Sequence, residues 1–220
     1  MNVLIACEES QAVCKAFREQ GHRAFSCDLQ ECSGGHPEWH VVGDALLLID
    51  GDCDFVTQDG LRHSQKGEWD LLIAHPPCTY MSKAGARWMY PKAGQLDANR
   101  LAKAMAAKDF FFKFLNARCP RIAVENPQPL KVVGLPDPDC MVQPYHHGDP
   151  FSKKTLLWLK NLPPLIPTNV LTEFRPFLPS NTSGFRKGQK SSRGMAKNAK
   201  ESSKTFPGIA LAMAIQWGNL

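Results

Sequence analysis

Asp70-Leu-Leu-Ile-Ala-His-Pro-Pro-Cys78 is the stretch whose reading decides the fold. The apolar run from Leu71 to Ala74 is short and unbroken, which reads as a strand buried on both faces. Pro76 and Pro77 end it, fixing φ at two successive positions and removing two amide donors. The outcome is a stiff turn that delivers the Cys78 thiol just beyond the carboxyl end of a strand. Arg121-Ile-Ala-Val-Glu-Asn-Pro127 repeats the design with a carboxyl group, a strand over 122–124 running into Glu125. A thiol nucleophile and a carboxyl proton donor at adjacent strand ends suit attack on an electron-poor heteroaromatic ring.

Working outward, residues 3–7 read as a first strand and 11–20 as an amphipathic helix with Val13, Ala16 and Phe17 on one face, stopped at Gly21. Residues 23–27 form a second strand ending at Asp28, 31–40 a loop, and 40–42 a third strand followed by Gly43-Asp44. A long helix is predicted over 96–116. Strands alternating with helices imply an α/β fold with a largely parallel sheet. Residues 140–145 and 155–159 read as strands around a turn at Gly148-Asp149-Pro150, forming an antiparallel edge. Residues 161–179 are proline-rich and should be extended, and 206–217 should close the chain as a helix with Pro207 in its first turn.

The 220 residues suffice for one domain with a substantial core, so residues 1–220 are expected to form a single catalytic unit. No apolar run approaches the roughly 20 residues of a membrane span. The first strand meets Glu8 and Glu9 at once, unlike a signal peptide, and the eight cysteines are scattered, as in a reducing cytoplasm. A net charge of +5 permits a polyanionic partner. Much of that charge lies in 181–204, where Arg186, Lys187, Lys190, Arg193, Lys197, Lys200 and Lys204 face only Glu201. Its polar, Gly- and Ser-containing composition predicts a flexible loop suited to phosphates, with Phe185 available for stacking. A solvated loop without a ligand is the alternative.

In an open parallel sheet, ligands bind beyond the carboxyl ends of the strands. Glu8 and Glu9, Asp28, Asp44, Cys78 and Glu125 all fall at such ends. Asp28 suits ribose hydroxyls and Asp44 an exocyclic adenine amine; the alternative is that such carboxylates merely cap turns. Cys78 needs positive charge nearby to favour its thiolate, and Lys83 and Arg87 follow closely. A glutamate partly withdrawn from water, as Glu125 would be, can act as a proton donor. Cys27, Cys32, His36 and His40 have no standard zinc spacing, and the histidines are expected to shape the loop.

The Pro-Pro-Cys and Glu-Asn-Pro turns, in this order, resemble the two catalytic motifs of the DNA (cytosine-5)-methyltransferases, in particular small versions encoded by phages and prophages. The resemblance covers about the first 130 residues and resumes at Thr205-Phe-Pro-Gly-Ile-Ala210. It implies a Rossmann-like S-adenosylmethionine-dependent fold. It also implies that Cys78 adds to C6 of a cytosine flipped out of DNA while Glu125 protonates N3, so that C5 accepts the cofactor's methyl group. On the cofactor side it implies Cys7, Glu8, Glu9, Ser10, Asp28, Asp44 and Pro76, with Glu8 or Glu9 facing the cofactor's ammonium. On the DNA side, Lys153 and Lys154 lie roughly where the family has a cation near the base, and the charge of Lys83, Arg87, Arg186, Lys187 and Lys190 suits DNA phosphates. The chain departs from the family in four respects: Ala6-Cys7-Glu8-Glu9-Ser10 lacks the family's glycines, His75 stands where the family usually has glycine, the family's Gln-x-Arg-x-Arg segment has no clear match (Lys153 and Lys154 lie roughly there), and there is no room for a large target-recognition domain. Alternatives are an amino-methyltransferase, a DNA-binding or decoy protein that has lost the cofactor, and a methyltransferase acting on RNA or nucleotides.

Overall fold

The computed structural model describes residues 1–92, 94–177 and 199–220. Its centre is a seven-stranded sheet in the order β3-β2-β1-β6-β7-β10-β8. These strands are β1 (Asn2–Ala6), β2 (Arg23–Asp28), β3 (His40–Val42), β6 (Leu71–Ala74), β7 (Ile122–Asn126), β8 (Cys140–Val142) and β10 (Thr155–Lys160). Neighbours from β3 through β7 pair in parallel. β10 is antiparallel to both β7 and β8, so the expected antiparallel edge is present, with β10 inserted one place in from the margin.

The unbroken apolar runs behave as two-faced strands. Leu4 and Ala6 of β1 face one core with Leu72, Phe111, Phe114 and Trp158, while Val3 and Ile5 face the other with Val13, Phe17, Met213 and Trp217. α3 (Ala98–Leu115) covers the first face; α1 (Ala12–Glu19) and α5 (Pro207–Trp217) cover the second. α3 starts two residues later than expected because Asp97 is its N-cap, Oδ1 accepting from the Arg100 amide at 2.7 Å. Pro207 occupies the first turn of α5 as expected.

Three features were not foreseen. A hairpin joins β4 (Cys53–Val56) to β5 (Arg62–Gln65), and a short helix α2 (Ala86–Met89) follows the Pro-Pro-Cys turn. A two-residue strand, β9 (Phe151–Ser152), pairs with β11 (Arg175–Pro176). Of the basic segment, 181–198 lies outside the described residues, and Arg186, Lys187 and Lys190 with it. Residues expected to continue that loop form instead the short helix α4 (Ala199–Ser203). Among the described residues no helix is long and apolar enough to cross a membrane, and all eight cysteines are free thiols.

From β1 the chain winds outward to β2 and β3, and from β6 to β7 on the other side. The strand order therefore reverses between β1 and β6, and the crevice above that point lies between the turns that begin at Cys7 and His75.

Candidate active site

The two segments that hold Cys78 and Glu125 are stitched together. Asn126, fully buried, donates from Nδ2 to the Pro76 carbonyl at 2.9 Å. His75 Nδ1 lies 3.4 Å from Glu125 Oε2. Beyond these contacts the Leu130 amide donates to the Met81 carbonyl at 2.8 Å, and the Lys83 amide to the Gln128 carbonyl at 2.9 Å. The prolines set the turn, and β7 carries Glu125 as a strand residue opposite Leu157 of β10, not in a turn after the strand.

Cys78 is half-buried. Burial pushes its thiol above the usual range and the Glu125 charge pushes the same way, while its own amide, Lys153 and Ser82 oppose. The expected depression by Lys83 and Arg87 is absent. Both side chains are exposed, and Arg87 stacks its guanidinium 3.9 Å over the Trp88 ring. The cation at the site is Lys153. Burial lowers its affinity for a proton, and the charges of Glu125 and Cys78 restore part of it. Its Nζ also donates to the Lys204 carbonyl at 3.1 Å, which ties the site to the segment before α5. Thiol, carboxyl and ammonium thus form one electrostatic cluster at the ends of β6, β7 and β10. It can stabilise a thiolate when a ring approaches and hold a proton opposite it.

Several residues expected on the cofactor side also assemble. The Cys7 thiol is pushed up first by burial, then by Asp28, Cys27 and Asp44, which places these groups around it at the ends of β1, β2 and β3. Asp28 Oδ1 accepts the Gln30 amide at 2.9 Å and Asp44 Oδ1 the Leu46 amide at 3.0 Å, so each carboxylate also braces its own turn. Leu29, 77% exposed beside Asp28, offers an apolar surface there.

The turn between β1 and α1 has no glycine, yet its backbone is left-handed at Cys7 (φ 59°) and at Gln11 (φ 58°). Gln11 is fully buried; its amide group accepts from the His36 amide at 3.1 Å and donates to the His36 carbonyl at 2.8 Å, pinning the 31–40 loop. Gly34 permits the close approach, because a Cβ there would lie 2.5 Å from the Ser10 carbonyl oxygen. His40 is buried between Ser26 Oγ (2.8 Å) and the Gln30 carbonyl (2.9 Å), and burial lowers its affinity for a proton. His36 stacks on Trp39 with ring centroids 3.8 Å apart. The two histidines do shape the loop.

Glu8 corrects an expectation. It is buried and caps α1, Oε1 accepting from the Val13 amide at 2.7 Å and Oε2 from the Cys14 amide at 3.2 Å. Burial pushes its carboxyl up; His75 and the two amides act against that. Both oxygens are thus engaged at the helix N-terminus and not free for a cofactor ammonium. Glu9 is buried next to it, its carbonyl accepting from Ser33 at 2.8 Å, and Ser10 is half-buried before α1. Pro76 is buried and enters the site through its carbonyl.

On the rim, Lys154 donates to Gln128 Oε1 at 3.0 Å, close to the Lys83 backbone that meets the same residue. Trp88 (50% exposed) has the guanidinium groups of Arg87 and Arg100 over its ring, and Tyr90 (40% exposed) follows two positions on. Exposed aromatic rings among cations form the kind of surface on which bases stack. Sequence reasoning missed this patch, although Arg87-Trp-Met-Tyr90 interleaves the two residue types in plain sight.

Compared with known proteins, the chain matches no family model and no curated sequence.

Proposed function

We propose that the protein is an S-adenosylmethionine-dependent cytosine-C5 methyltransferase with a Rossmann-like catalytic domain that acts on DNA. The observation that carries this reading is the convergence of Cys78, Glu125 and Lys153 at neighbouring strand ends beside the switch-point crevice. The mostly parallel sheet with an antiparallel strand near one margin agrees with the fold the resemblance implies.

Cys78 Sγ bonds to C6 of the cytosine, and the ring electrons shift toward C5. Lys153 favours the thiolate form, and Glu125 supplies the proton that N3 takes up as the ring accepts charge. When C5, carrying its new methyl group, later loses its proton to water, the Cys78–C6 bond breaks, N3 returns its proton to Glu125 and aromaticity is restored. Burial makes the resting thiol reluctant to ionise, so its thiolate depends on the Lys153 charge that acts against that burial. A base within a duplex cannot reach such a pocket, so the target must be extruded.

The crevice residues fit the adenosine part of the cofactor. Asp28 and Asp44 are acceptors for hydroxyl and amine donors, and Leu29 supplies an apolar face between the strand ends. When bound, the cofactor supplies an electrophilic methyl group on a sulfonium. The rim lysines Lys83 and Lys154, Arg87 and the Trp88–Tyr90 patch form the DNA side, extended by Arg186, Lys187 and Lys190.

The test uses cofactor carrying a labelled methyl group and mixed-sequence duplex DNA, with the digested nucleosides separated by chromatography and mass spectrometry. Label in 5-methyldeoxycytidine, abolished by Cys78→Ala, is expected. Label in N4-methyldeoxycytidine or N6-methyldeoxyadenosine, or in RNA alone, would overturn the reading.

A further inference from the structure

We infer that His75 is a positioning residue that aims the carboxyl group of Glu125, a role that rests on the reading of Glu125 as the proton donor. β6 lies between β1 and β7 in the sheet. A side chain at its carboxyl end is therefore placed to reach the ends of both neighbours. His75 is held at that spot by its amide, which donates to the Ala6 carbonyl at 2.9 Å. Its imidazole is only 9% exposed and the Glu125 carboxyl 15% exposed, with Nδ1 3.4 Å from Oε2. Glu8, on the β1 side, feels the same ring.

The other ring nitrogen, Nε2, is buried with no hydrogen-bond partner among the described residues. That fixes the tautomer. A buried N–H without a partner costs about 1–3 kcal/mol, whereas a proton on Nδ1 meets a carboxylate and leaves Nε2 as the less costly orphan, a bare acceptor. With Nδ1–H held on Oε2, Glu125 has one oxygen restrained and the other available for the ring. The contact is long in the free protein, and catalytic hydrogen bonds of that kind shorten when substrate fills the site. Where the family that the chain resembles has glycine, this chain has built a brace for its acid.

Two measurements on the full chain test this. The first is nitrogen NMR of the imidazoles in the free protein, assigned with His75→Gln. A protonated Nδ1 on His75 is expected, and its resonance should move in Glu125→Ala. An unprotonated Nδ1, or no response to Glu125→Ala, would overturn the positioning role while leaving the methyltransferase reading intact. The second is the rate of adduct formation with duplex DNA containing 5-fluorocytosine in the presence of S-adenosylmethionine. His75→Ala should slow it about 10–100-fold, the usual consequence of misplacing a reacting group, with Kd for cofactor and DNA unchanged. His75→Asn, whose amide nitrogen sits where Nδ1 was, should stay within about 3-fold of wild type by the same reasoning. Equal losses in the Ala and Asn variants, or a loss confined to cofactor Kd, would overturn the inference. An absent adduct in the wild type would instead overturn the function on which it rests.

Discussion

Replacing Cys7 by glycine and, separately, by alanine isolates the strain in the turn after β1. Cys7 has φ 59° and no glycine to relieve it. The left-handed conformation costs an L residue about 1–2 kcal/mol. Glycine escapes that cost but gives up about 0.5–1 kcal/mol of additional chain entropy. Both variants lose the same thiol contacts, so their difference reports the backbone together with the one β-carbon that alanine keeps. Cys7→Gly should be more stable than Cys7→Ala by about 0.5–1 kcal/mol, or about 1–4 °C in Tm for a chain of this length. The order is the reverse of that at an ordinary strand or helix position, where alanine wins by a similar amount. Urea unfolding of the two variants at neutral pH, with m-values compared, is the assay. An alanine variant as stable as the glycine variant would refute the left-handed turn, and with it the account of how a glycine-free sequence shapes the crevice.

Glu8→Ala should cost about 2–3 kcal/mol in urea unfolding, because it strips the acceptor from two amides at the N-terminus of α1. Because burial raises the folded-state pKa of Glu8, the folded protein holds that proton more tightly than the unfolded chain. The stability contributed by Glu8 is then full below the usual glutamate range and is lost as pH rises through the folded value. Glu8→Gln should flatten that part of the stability–pH curve, and an unchanged curve would contradict the burial argument. Gly34→Ala should destabilise by about 1–3 kcal/mol through overpacking against Ser10 and Gln11; calorimetry with S-adenosylmethionine should show weaker binding as well. Alanine at Arg186, Lys187 and Lys190 together should lower the slope of log affinity against log salt by up to about 3 on duplex DNA, whereas an unaltered slope would remove these residues from the interface.

Much of the fold was legible because it rests on short-range patterns. Unbroken apolar runs such as Val3 to Ala6 and Leu71 to Ala74 mark central parallel strands, and Pro207 marks a helix start. The β4–β5 hairpin had a signal in Asp59-Gly60, but its flanking strands alternate weakly and were passed over. The placement of β10 between β7 and β8 is a long-range pairing with no local signature. Within the site, residue types at strand ends pointed to Cys78, Glu125, Asp28 and Asp44. What a sequence cannot give is the partner of each group. Glu8 caps a helix, and Lys153 supplies the cation expected from Lys83 and Arg87. Asn126 and His75 tie the two turns, and Gln11 clamps a loop 25 positions away.

The central claim is covalent chemistry at Cys78 against a cytosine. Full-length protein, S-adenosylmethionine and mixed-sequence duplex DNA containing 5-fluorocytosine are incubated, denatured, digested and read by mass spectrometry. A fluorinated, methylated cytosine attached to the peptide that carries Cys78, present in wild type and absent in Cys78→Ala, is the predicted result. Measurable binding of both cofactor and DNA with no denaturant-stable adduct, or an adduct on another cysteine, would contradict it.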